Sequence, residues 1–101
     1  MVNQLTVQGI LERAIEKEIE AQRLYRDLAH KVTHAAARDA FIQLSREEQM
    51  HEDLLKKYLA GAHPSGRVRG LLENLAAQEL EHKQKVEFWY NEVAFPQTDG
   101  G

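Results

Sequence analysis

The sequence has 101 residues, 43% of them hydrophobic and 29% charged, with a formal net charge of −3 and no cysteine. That describes a single soluble domain whose core buries about 60–70% of the unfolded chain's surface, and the interspersed charges exclude a polybasic surface for nucleic acid. The absence of cysteine excludes disulfide staples, thiolate zinc sites, Cys-ligated iron–sulfur clusters and a cysteine nucleophile.

From about Thr6 to Val32, the residues Leu11, Ala14, Ile15, Ala21, Tyr25, Leu28, Ala29 and Val32 recur at three- and four-residue steps. This is the stripe of an amphipathic helix. Glu18 and Gln22 interrupt it. Glu12, Glu16 and Glu20 lie off the stripe, where Glu16 and Glu20 can pair with Lys and Arg on a solvated face. Glu18 has apolar neighbours three and four residues away, so it reads as a functional carboxylate.

Lys31-Val32-Thr33-His34 breaks the pattern, and Thr33 is the expected N-cap of the next helix. That helix spans about 35–59 with the stripe Ala37, Phe41, Leu44, Glu48, His51, Leu55 and Tyr58. Gly61 is placed to end it in the left-handed conformation, with Pro64 following. The linker 61–66 is too short to travel the length of a bundle, so the helices it joins are antiparallel neighbours. A third helix is expected over about 67–93, with the stripe Val68, Leu72, Leu75, Glu79, His82, Val86, Trp89 and Val93. Residues 1–95 form the helical domain and 96–101 a frayed tail.

Helices two and three repeat one pattern. Laying His51 on His82 superposes Glu48 on Glu79, Leu44 on Leu75 and Tyr58 on Trp89. Each copy carries Glu-x-x-His, and residues three apart on a helix are neighbours, with Cβ atoms about 5–6 Å apart. Short connections level the helix ends, so Glu18, Glu48/His51 and Glu79/His82 share one depth. Three carboxylates and two imidazoles then converge in an apolar core. Unpaired buried carboxylates cost several kcal/mol each. A divalent cation offsets that, and oxygen-plus-imidazole ligands suit iron or manganese better than calcium or a structural zinc. His30, His34 and His63, near helix ends or in the linker, read as surface residues.

The segments Glu18-Ile19-Glu20-Ala21-Gln22-Arg23-Leu24-Tyr25, Arg46-Glu47-Glu48-Gln49-Met50-His51 and Gln78-Glu79-Leu80-Glu81-His82 resemble the rubrerythrin branch of the ferritin-like superfamily. The resemblance implies an all-α, ferritin-like helical bundle around a carboxylate-bridged di-iron centre made of two lone Glu and two Glu-x-x-His pairs. It makes Glu18 the lone Glu and Glu48, His51, Glu79 and His82 the paired ligands. The cofactor is iron, with manganese or zinc as alternatives. Tyr25 is the catalytic candidate, a phenol placed to hydrogen-bond a ligand carboxylate. The family pattern needs four helices and this chain has room for three. The bundle is therefore expected to be completed in a homodimer or higher homo-oligomer.

Two arrangements satisfy that count. Two copies of the first hairpin can share a two-fold site built from Glu18, Glu48 and His51 of each chain, as in the encapsulated ferritins, to which the sequence is also similar. Alternatively, Glu79 and His82 join the other three while helix one of a partner fills the gap. The implied chemistry is oxidation of Fe(II), or reduction of hydrogen peroxide or dioxygen. Peroxidase turnover requires an external electron donor, because no Cys-x-x-Cys module is present. The rival class is a non-enzymatic metal-binding or structural assembly module. Neither a signal peptide nor an apolar run of about 18–20 residues is evident, so the expected location is cytoplasmic, without membrane contact.

Overall fold

The computed structural model describes residues 6–61 and 67–94. Three helices make up the fold: α1 (Val7–Lys31), α2 (Ala35–Leu59) and α3 (Val68–Ala94). Thr6 caps α1, its hydroxyl accepting from Gly9 N at 3.0 Å. Lys31 places positive charge in its last turn, against the negative end of the helix dipole. Val32 turns extended and stops the helix.

Thr33 does not cap α2. His34 does, its Nδ1 accepting from Ala37 N at 3.2 Å. A cap must sit three residues before the N–H it serves, and α2 starts at Ala35. The imidazole is also steadied by an edge contact with Trp89, with ring centroids 5.5 Å apart. His34 is thus an exposed residue with a structural task, whereas His63, Pro64 and most of the linker fall outside the described residues. Gly61 ends α2 at φ +69°, a conformation that a Cβ disfavours.

The backbones of α1 and α2 stay close along their length, and α3 stands farther from both. Its core face follows the expected stripe through Leu75 and His82, with Val68, Leu72, Val86 and Trp89 packed against the lobes, but Leu71 is buried more deeply than Leu72. On a helix carrying apolar residues at both 71 and 72, the periodicity leaves the choice to the packing angle.

The core has two apolar lobes. Leu11, Ile15, Leu55, Leu71 and Leu75 form one; Tyr25, Ala29, Ala37, Phe41 and Leu44 form the other. Between them lies a polar layer in which Glu18, Gln22, Glu48, His51, Glu52 and His82 are all buried. Salt bridges Arg13–Glu16 and Lys17–Glu20 lie on the exposed face of α1. The outer side of α3 leaves Leu80 and Phe88 more than half exposed, an apolar surface of the kind that drives association. No helix among the described residues is long and apolar enough to cross a membrane.

Leu55 is fully buried in the first lobe. Leu55→Ala is expected to destabilise the protein by about 2–5 kcal/mol in urea unfolding, against less than about 0.5 kcal/mol for Arg23→Ala on the exposed face of α1.

Candidate metal centre

One α-helical turn on each of three helices builds the site. Glu18 comes from the middle of α1, Glu48 and His51 from successive turns of α2, and Glu79 from α3. One ligand-type atom from each lies within 4.8 Å of all the others. Nδ1 of His51 is 3.2 Å from Glu18 Oε2, 3.4 Å from Glu79 Oε1 and 3.6 Å from Glu48 Oε1. A single ring N–H can donate well to only one of these oxygens.

His82 is brought to the same layer by another route. Its Nδ1 meets Glu48 Oε1 at 2.5 Å, and its Nε2 lies 2.9 Å from Glu47 Oε2. The His51 and His82 rings stack, with centroids 5.8 Å apart and planes within 9°. Tyr25 is buried beside them and presents its ring edge-on to His82 at 6.4 Å.

The donor chemistry fits a divalent cation. Glu48 has no solvent exposure, yet its Oε2 accepts no hydrogen bond, and neither does the buried Oε1 of Glu79. Buried carboxylate oxygens without donors are rare in folded proteins unless an ion or a proton answers them. Hard oxygens with imidazole nitrogen are the ligands iron and manganese accept.

A model of the Rubrerythrin family matches residues 9–67, more than half of the chain. The chain belongs to the rubrerythrin family. No curated protein and no solved structure matches it. The match takes in α1 and α2, hence Glu18, Glu48 and His51, and ends before α3 begins. The rubrerythrin family typically binds iron, and the Glu/His cluster stands where such an ion can be held. Glu79 and His82, beyond the match, are joined to it by geometry.

Three polar residues of this rubrerythrin-family site are not evident from the apolar stripes. Gln78 places Oε1 2.7 Å from His51 Nε2, Glu47 faces His82, and Glu52 accepts from Gln22 Nε2 at 2.7 Å while pairing with Lys56. Their only signal in sequence is position: Glu47 and Gln78 each precede a Glu-x-x-His, and Glu52 follows Glu48 by one turn, as Gln22 follows Glu18.

Burial, reinforced by the neighbouring Glu18 and Glu79 carboxyls, pushes Glu48 up from 4.5 to about 10. Hydrogen bonding to Glu18, and then the nearby Glu79 carboxylate, raises His51 from 6.5 to about 10, against the opposing effect of burial. Burial, with the Glu48 charge next, lifts Tyr25 to about 12, so its phenol stays protonated. For Glu79, burial acts upward, but the nearby His51 and Glu48 side chains outweigh it and lower the carboxyl. Lys56 and Gln22 lower Glu52.

Glu48 and His51 bind protons more tightly folded than unfolded. Their stabilisation is complete below the unfolded values and is lost as pH rises through the folded ones. Glu79 and Glu52, being lowered, act only below about 4.5. The urea midpoint of the metal-free protein is therefore expected to fall steadily from pH 5 to pH 9, and a saturating divalent metal, which displaces these protons, is expected to flatten that slope.

Proposed function

We propose that the chain is a di-iron carboxylate protein that oxidises Fe(II), or reduces hydrogen peroxide or dioxygen, at this Glu/His centre. It acts as a ferroxidase or a rubrerythrin-like peroxidase. The observation that carries the reading is Glu48: wholly buried, central to both imidazoles, and with an oxygen that no protein group satisfies.

Glu18, Glu48, His51, Glu79 and His82 hold the metal. Iron held there would supply the electrons for reducing a small oxidant. The chain's own groups set the conditions. Glu48 and His51 carry protons in the metal-free state and release them when a cation enters. Tyr25 stays a neutral hydrogen-bond donor beside His82. The two apolar lobes exclude water above and below the layer. A cavity of about 540 Å³ between α2 and α3, lined by His51, Gln78 and Met50 among others, offers a small oxidant a path to the cluster.

Three helices in a ferritin-like family imply assembly, and a homodimer or larger oligomer covers the apolar faces left open. Grouping of Glu79 with Glu18, Glu48 and His51 inside one chain favours the arrangement in which α3 contributes ligands and a partner fills the remaining gap. Peroxidase turnover uses an external electron donor; ferroxidase turnover needs none.

The rival is a metal-binding assembly module without turnover, favoured by the direct His82–Glu48 hydrogen bond, which satisfies part of the cluster without an ion. Fe(II) added without oxygen and then exposed to air or peroxide separates them. Rapid growth of near-ultraviolet Fe(III) absorbance, lost in Glu48→Gln and His51→Ala, is the expected result; tight iron binding with no oxidation above the buffer rate favours the module.

A further inference from the structure

The polar residue ahead of each Glu-x-x-His pair is used in the same crossed way. On α2, His51 sends Nε2 to Gln78 Oε1 of α3, at 2.7 Å. On α3, His82 sends Nε2 toward Glu47 Oε2 of α2, at 2.9 Å, though out of line for an ideal hydrogen bond. Thus residue 47 backs His82 and residue 78 backs His51, each reaching across to the other helix. Both rings then turn Nδ1 inward, His51 to Glu18, Glu79 and Glu48, and His82 to Glu48.

A neutral imidazole has one N–H and one lone pair. An acceptor at Nε2 keeps the proton there and leaves the Nδ1 lone pair free for a cation, and partners of this kind commonly govern the metal affinity of a histidine. The two acceptors differ in charge. The position beside His51 already faces three carboxylates and is backed by a neutral amide. The position beside His82 has Glu48 alone in contact and is backed by a carboxylate.

We propose that Glu47 and Gln78 are positioning residues forming a crossed clamp on the two imidazoles. Glu47 also supplies, from behind the ring, the negative charge that the His82 position lacks. The His51 position accordingly fills before the His82 position. This inference rests on the Glu/His metal-centre reading above.

The test is Co(II) titration of the metal-free full chain, followed by visible absorption and calorimetry, with helix content checked by circular dichroism. Wild type is expected to take two Co(II) per chain in two separate steps. Glu47→Gln, which keeps the shape and removes the charge, weakens the second step by about 10–100-fold and leaves the first. Gln78→Leu weakens the first, and Gln78→Glu restores it. Long-range proton–nitrogen NMR of the Zn(II)-loaded protein is expected to show both rings protonated at Nε2, a state that a merely structural role would not require.

Two steps indifferent to these substitutions, or a ring protonated at Nδ1, would overturn the clamp and leave the metal centre standing. One Co(II) per chain removes the His82 position and also overturns it. If wild type binds no Co(II), the metal reading falls first and this inference with it. Should Glu47→Gln not fold, the Gln78 pair decides.

Discussion

One imidazole N–H facing three carboxylates is the constraint around which the chain is built. Nδ1 of His51 has Glu18, Glu79 and Glu48 within 3.6 Å, and no arrangement of a single proton satisfies all three. Inside a low-dielectric core the surplus negative charge must be met by added protons or by a cation. The upward displacement of both Glu48 and His51 is the proton answer, and the iron chemistry of the family is the cation answer. They compete for the same atoms.

The fold exists to hold that layer level. Leucines and isoleucine below, with tyrosine, phenylalanine and alanines above, seal the polar residues from both ends. Pure apolar packing through the middle would be more stable, since buried charge networks are often matched or exceeded by hydrophobic replacements. The close α1–α2 hairpin fixes Glu18 against Glu48 and His51. The more distant α3 brings Glu79 and His82 while leaving Glu79 about 40% exposed on its side chain. A closely packed half and a more open half thus share one centre.

That asymmetry also bears on assembly. The exposed large side chains Leu80 and Phe88 of α3 lie outside the two lobes and are more than half open to solvent. A ferritin-like bundle normally closes on four helices. The three described helices leave one side of such a bundle to be filled, and on the proposed reading a second copy fills it.

Sequence alone determined the three helices, their antiparallel order and the residues at the centre of each stripe. Periodicity reports the face a side chain occupies, and Glu18, Glu48, His51, Glu79 and His82 each break an apolar face. Periodicity does not report how helices lean on one another. The deeper burial of Leu71 than of Leu72 depended on the seating of α3, and the capping of α2 by His34 instead of Thr33 on where the helix begins. Glu47 and Gln78 sit on flanks that look solvated along a single helix; only the approach of α2 and α3 turns them onto the opposite histidines. Ligand identity is a one-dimensional property of a helix face. The orientation of an imidazole is a contact between two helices, and tertiary structure alone decides it.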